Sequence, residues 1–226
     1  MFLSFIYWDP NPEVFVLPIL HWPILWYGIF FAFGFAIGFA LFYSLILRLL
    51  KIQLNEPLAA LKKRAMFLTD RLTIYMTVST ILGARLGHFL FYENPSDYLS
   101  HPIELFWIRK GGLASHGAAL GIVIGLILFA KRRRAELGGI GAVRLLDLVC
   151  IPTAFAGACI RIGNFINQEI LGTTTDVPWG VVFGHPMDHS LPSPRHPVQL
   201  YEALFYLAIF FLLYRLSFLP KYFLVK

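Results

Sequence analysis

The sequence predicts an all-α fold, a polytopic transmembrane helical bundle with a structured periplasmic loop region, and three observations carry that expectation. Of 226 residues, 58% are hydrophobic and only 14% charged. A soluble domain averages about 25% charged residues, and a chain this apolar, with a mean hydropathy of +0.67, could not hide its surface from water. The apolar residues fall in long uncharged runs, and the basic residues collect at alternate ends of those runs.

Five runs are long enough to span a bilayer core of about 30 Å, which takes about 20 residues of helix. Trp22–Leu47 has no Asp, Glu, Lys or Arg over 26 residues. Leu72–Tyr92 carries only Arg85, and Gly112–Ala130 carries no charge. Leu145–Ile166 holds Asp147 and Arg161, and Val198–Tyr214 holds Glu202. The first residues do not read as a cleaved signal peptide: they lack a basic stretch, and Asp9, Pro10 and Pro12 interrupt the apolar run. Cys150 and Cys159 both fall in the fourth run, read as buried thiols that say little about redox compartment. Nothing marks a second domain, so residues 1–226 are expected to form a single integral-membrane domain.

The net charge of +6 is a topology signal rather than a sign of a nucleic-acid partner. With the N-terminus outside, fourteen of the 19 Lys and Arg residues lie at cytoplasmic ends, among them Lys62, Lys63, Arg64, Arg71 and the run Lys131–Arg134. Short loops rich in Lys and Arg stay cytoplasmic. Three segments are then external: 1–21, 93–111 and about 167–197. The last is rich in Gly, Pro, Thr and His, a composition and length expected of a functional loop.

Polar residues in lipid are expensive, so their depth carries information. Tyr27, Arg85, His88, His116, Arg161, Asn164, Gln199 and Glu202 all fall near the outer ends of their runs. Glycines spaced by four (Gly34/Gly38, Gly83/Gly87, Gly117/Gly121/Gly125) allow close helix approach. Arg85 and Arg161 cannot lose their charge and need a carboxylate or a bidentate phosphate. For Arg85 a structural pairing with Glu202 or Glu169 and a phosphate contact are equally open. Arg161 is read as a phosphate ligand, because a continuing helix would set Arg161, Asn164 and Gln168 on one face. His116, after Gly111 and Gly112, is a candidate base at neutral pH.

The run Arg161-Ile-Gly-Asn164-Phe165-Ile166-Asn167-Gln168-Glu169-Ile-Leu-Gly172 resembles the signature of the prolipoprotein diacylglyceryl transferases. So do Gly111-Gly112-Leu-Ala-Ser-His116-Gly117, His196-Pro197-Val-Gln199-Leu-Tyr201-Glu202-Ala203, Gly83-Ala-Arg85-Leu-Gly87 and Trp26-Tyr27-Gly28, in family order across nearly the whole chain. The resemblance implies transfer of a diacylglyceryl group from phosphatidylglycerol to the lipobox cysteine of a prolipoprotein at the bacterial inner membrane. Glycerol phosphate would be released at the outer leaflet, and no metal or organic cofactor is implied. It implies His116 as base and Arg161 as the group holding the leaving phosphate, with Arg85 as a second clamp. Asn164 and Glu169 would orient the glycerol headgroup or brace Arg161, and Gly172 would allow close backbone approach. Tyr27 would complete the catalytic set, and Glu202 the substrate-binding set, from behind these groups.

Three departures stand out. Ile160 and Gln168 occupy positions where the family commonly has Gly. Family members also continue beyond the fifth span with a block containing Tyr and Arg and a final helix, so the C-terminal part of the family fold is expected to be missing. An impaired, truncated member is therefore the alternative expectation. A transporter is disfavoured, because the polar residues do not continue to the cytoplasmic side. An intramembrane hydrolase is disfavoured because Ser115 and His116, adjacent in sequence, face different sides of a helix.

Overall fold

A computed structural model of the chain describes residues 5–18, 21–93 and 112–219. In order, the elements are β1 (Ile6–Trp8), β2 (Glu13–Leu17), β3 (Trp22–Leu25), α1 (Trp26–Gln53), α2 (Leu58–Tyr92), α3 (Ser115–Arg132), α4 (Ala142–Ile166), β4 (Val181–Phe183), β5 (Pro194–Arg195) and α5 (Val198–Leu216). The five helices are each long and apolar enough to cross a membrane. The fold is thus mostly helical, and the chain is a multi-pass membrane protein. It divides into two compact units, residues 1–41 with 150–226, and residues 42–149.

In the first unit, short strands organise the segments between helices. β1 pairs in parallel with β4, and β4 pairs antiparallel with β5, while β2 and β3 form a separate antiparallel pair. Phe165 at the end of α4 packs with Val181 and Phe183 of β4, and Trp8, Leu171 and Leu200 close over them. The Trp8 ring stacks on Phe165 with centroids 4.6 Å apart, and its indole N–H donates to the Phe165 carbonyl at 3.1 Å. The sheet therefore ties the segment after α4 to the N-terminal strand. Trp22–Leu25, expected to open the first span, is strand instead, and the helix starts at Trp26.

The second unit is built on close helix contact. A Cβ on Gly83 would lie 2.4 Å from the Gly117 carbonyl oxygen, and one on Gly87 would lie 2.7 Å from Gly117 Cα. Only residues without a side chain permit backbones that near. Hydroxyls within α2 are satisfied by their own helix: Thr69 donates to the Ala65 carbonyl at 2.8 Å and Ser79 to Tyr75 at 2.6 Å, as a span without water requires. The helix α2 is longer than its hydropathy predicted. Leu58–Arg71, read as cytoplasmic loop, is helical, with Leu61, Ala65, Leu68 and Leu72 buried and Lys62, Lys63 and Arg71 exposed. That amphipathic spacing of three and four gives the extension its own apolar stripe. It packs in a unit whose core also holds Ile46, Leu49, Leu50, Phe129, Leu137, Leu145 and Leu148, none more than 3% exposed. Cys159 is buried as expected, but Cys150 is exposed on α4, so the two thiols do not share one environment.

Candidate active site

In the first unit the polar residues form one connected chain. Arg161 and Asn164 sit in the last turns of α4, and Glu202 in the second turn of α5. The Arg161 guanidinium contacts Glu202 Oε2 through Nε and donates from Nη1 to Asn164 Oδ1 at 3.2 Å. The Glu202 contact is an ion pair by proximity, since Glu202 Oε2 makes no aligned hydrogen bond among the described residues. Asn164, 3% exposed, passes the chain on: its Nδ2 donates to Glu169 Oε1 at 3.0 Å. Asn167 Nδ2 donates to the same oxygen at 3.3 Å. Arg161, read from the sequence as a phosphate ligand, thus has a carboxylate neighbour, and its planar fork also turns toward Asn164. Such a braced fork suits bidentate recognition of an anion.

The helix stops at Ile166, and the backbone then leaves helical geometry. Gln168 has φ 55° and Ile170 φ 57°, left-handed values that disfavour a side chain and are rare for a β-branched residue. Gln168 is therefore not on the face of Arg161 and Asn164, contrary to the helical expectation. Its side chain instead reaches the N-terminal segment, donating to Asp9 Oδ1 at 3.0 Å and accepting from the His185 amide at 2.8 Å. A family position that favours Gly is one where positive φ costs least, and here these contacts offset the cost for Gln. The turn is pinned further along: Gln199 Nε2 donates to the Glu169 carbonyl at 2.8 Å and Arg195 Nη1 to the Gly172 carbonyl at 3.1 Å. A Cβ on Gly172 would lie 2.3 Å from the His196 carbonyl oxygen, so no other residue fits there.

Two carboxylates of the first unit, both outside the spans, are shifted. The hydrogen bond from His185, then that from Gln168, hold Asp9 below the usual aspartate range. Hydrogen bonds from Ser190 do the same for Asp188. Tyr27, the second residue of α1, packs its ring and Cα at 3.0 and 3.1 Å from where a Gly163 Cβ would stand, so Tyr27 backs the Arg161-bearing turn of α4.

The second unit holds the remaining expected residues. Arg85 is 5% exposed and donates from Nη1 to the Gly112 carbonyl at 3.1 Å. Gly112 has φ 79°, and a Cβ there would lie 2.4 Å from the His88 ring. His88 pairs with Glu93 at 2.9 Å. His116 is exposed at the start of α3, a turn nearer the helix end than the hydropathy suggested, with its ring edge-on to Phe91 at 4.9 Å. Arg109, Lys110 and Gly111 lie outside the described residues. Among the described residues, no three His, Cys, Asp or Glu side chains gather with metal-ligand geometry.

Asp9, Asn167, Arg195 and the contact of Gln199 are not singled out by the sequence as parts of the site. Only Gln199 carried a signal, a buried amide one position into a span after Pro197.

Residues 14–224 match the family model described as prolipoprotein diacylglyceryl transferase. A phosphatidylglycerol–prolipoprotein diacylglyceryl transferase of Protochlamydia amoebophila is 49% identical over 155 residues, 69% of this chain and 41% of that protein. The protein of the same name from Tolumonas auensis is 42% identical over 92% of this chain and 71% of its own length. That from Chlamydia pneumoniae is 37% identical over 96% and 74%. The chain therefore spans less than half of the first of these relatives and about seven tenths of the other two.

Proposed function

The chain belongs to the prolipoprotein diacylglyceryl transferase family, and we propose that it transfers the diacylglyceryl group of phosphatidylglycerol to the lipobox cysteine of prolipoproteins. The observation that carries the reading is the polar chain Glu202–Arg161–Asn164–Glu169, a guanidinium braced on both sides beside a turn that Gly172 alone can close.

The reaction needs two things from the protein. The acceptor is a thiol, with a pKa of about 8.5, so little of it is thiolate at neutral pH. His116 takes that proton as the sulfur attacks the glycerol carbon bearing the phosphate ester. A C–S bond forms, the C–O bond breaks, and the electron pair leaves on glycerol phosphate. Charge grows on that phosphate as the bond breaks, and Arg161 stabilises it. Glu202 and Asn164 hold the fork still, so little reorganisation is needed when the charge appears. Tyr27 keeps the α4 turn in place from behind. Arg85, on α2, is assigned to a second phosphate contact, and Glu169 to the glycerol headgroup. No step uses a metal or an organic cofactor, and the partners are lipid and precursor protein rather than nucleic acid.

The distribution of Lys and Arg supports an inner-membrane location with the chemistry at the outer leaflet. Incubating the purified chain with phosphatidylglycerol micelles and a lipobox peptide tests the activity. Mass spectrometry should show the peptide gaining one diacylglyceryl group on its cysteine. A peptide that keeps its mass with authentic lipid present would refute the proposal.

A further inference from the structure

Two amide side chains beside Glu169 turn buried acceptor ends away from it. Gln199 is 0% exposed, and its Nε2 donates to the Glu169 carbonyl at 2.8 Å. A carbonyl can only accept, so that contact fixes which end of the amide is nitrogen. Gln199 Oε1 then faces the other way, buried, with no donor among the described residues. Asn167 repeats the arrangement: Nδ2 donates to Glu169 Oε1 at 3.3 Å, and Oδ1 is buried without a donor among the described residues. Buried acceptors without donors are uncommon, and each calls for an explanation. Asn167 bonds the carboxylate of Glu169, which Asn164 connects to Arg161, and Gln199 bonds the backbone carbonyl of that same residue.

We propose that Gln199 and Asn167 form a hydroxyl-reading subsite: their amide oxygens accept hydrogen bonds from the headgroup hydroxyls of the lipid whose phosphate Arg161 holds. The subsite thereby selects a glycerol headgroup. The inference rests on the function proposed above and adds to it residues that set substrate choice. The glycerol of phosphatidylglycerol carries two free hydroxyls on neighbouring carbons, one donor for each amide oxygen. A bare phosphate headgroup has no such donors and would leave both oxygens unpaired. A site built to bond a hydroxyl discriminates strongly against an analogue lacking it, because its own buried groups are stranded. An ethanolamine headgroup has no hydroxyls and offers its donors from a single nitrogen rather than from two neighbouring carbons.

Native mass spectrometry of the full chain in detergent, titrated with phosphatidylglycerol, phosphatidic acid and phosphatidylethanolamine of identical acyl chains, tests this. The unsubstituted protein should prefer phosphatidylglycerol to phosphatidic acid by about tenfold or more, the worth of one or two hydrogen bonds. Asn167→Ala and Gln199→Leu should each lower the preference for phosphatidylglycerol over phosphatidic acid about tenfold. Arg161→Ala should weaken both lipids together. Should Gln199→Leu fail to fold, Asn167→Ala, at a half-buried position, decides alone. A general packing defect would lower both lipids equally and would overturn the subsite. So would a selectivity ratio that neither amide substitution moves, or phosphatidylethanolamine bound as tightly as phosphatidylglycerol. Arg161→Ala without effect on either lipid would overturn the phosphate site itself, a different failure from a fixed ratio.

Discussion

Between α2 and α3, backbone meets backbone: a Cβ on Gly117 would stand 2.3 Å from the Gly83 carbonyl oxygen, and one on Gly121 would stand 2.1 Å from that of Ser79. The turn after α4 is held the other way. There the backbone adopts left-handed conformations at Gln168 and Ile170, and side chains from Asp9, Gln199 and Arg195 tie it down. The first region has lost side chains to gain contact, and its stability lies in dispersion and packing. The second keeps polar side chains and accepts backbone strain, which is where proteins commonly hold functional groups in fixed positions. Substitutions should therefore separate the two: the glycines should govern folding first, and the turn should govern chemistry with less leverage on folding.

The largest effect is expected at Gly117→Val. Its added carbons meet backbone that cannot move aside, and overpacking of this kind costs about 3 kcal/mol or more. Thermal unfolding should show a large drop or no folded protein. Gly28→Ala is the matching control, because a Cβ there meets nothing within 4 Å. It should leave stability unchanged or raise it by up to about 1 kcal/mol. A Gly117→Val protein as stable as the parent would remove the first half of the comparison.

Asn164→Ala should show the reverse pattern. It cuts the link between Arg161 and Glu169, so turnover with phosphatidylglycerol and a lipobox peptide should fall about 100-fold. The unfolding midpoint should move less than for Gly117→Val. Equal losses in both measurements would mean the turn is simply part of the fold.

Gln168→Ala keeps the left-handed backbone and loses both side-chain bonds, an expected destabilisation of about 1–3 kcal/mol. Gln168→Gly loses the same bonds but relieves the backbone cost, about 1 kcal/mol, and should be the milder of the two by thermal unfolding. If alanine were the milder, the left-handed geometry would carry no cost.

The smallest effect concerns pH. Asp9 has its carboxyl held below the ordinary aspartate value, first by His185 and then by Gln168. A depressed acid contributes stability above its unfolded pKa of about 3.9 and loses it as pH falls through the lower folded value. Unfolding curves of the parent and Asp9→Asn should therefore differ while the Asp9 carboxyl is ionised, and converge only below about pH 4. Convergence already at pH 6 would contradict that ordering.

Much of the first region was legible in the sequence. Glycines spaced by four state a close contact, and uncharged runs state the spans. The extension of α2 to Leu58 was not, because its charges hide a buried stripe of Leu61, Ala65, Leu68 and Leu72 that hydropathy averages away. In the turn, Arg161 and Asn164 were legible as helical neighbours, and their hydrogen bond follows from that spacing. Gln168 was not, since nothing local announces that α4 ends at Ile166 or that a glutamine accepts a positive φ. Its partners, Asp9 and the His185 amide, lie just after distant strands, and parallel pairing of β1 with β4 leaves no trace in either segment alone. Contacts made across long stretches of chain are where pattern reading stops.

The rate of diacylglyceryl transfer by Arg161→Lys, compared with the parent chain under the same lipid and peptide concentrations, is the most direct measurement. Lysine keeps the positive charge but not the planar fork that meets Asn164 and Glu202. If a braced guanidinium holds the leaving phosphate, the rate should fall by about 10²–10³, with the unfolding midpoint little changed. A lysine variant that transfers lipid at the parental rate would mean that charge alone suffices and that the fork has no part in the reaction.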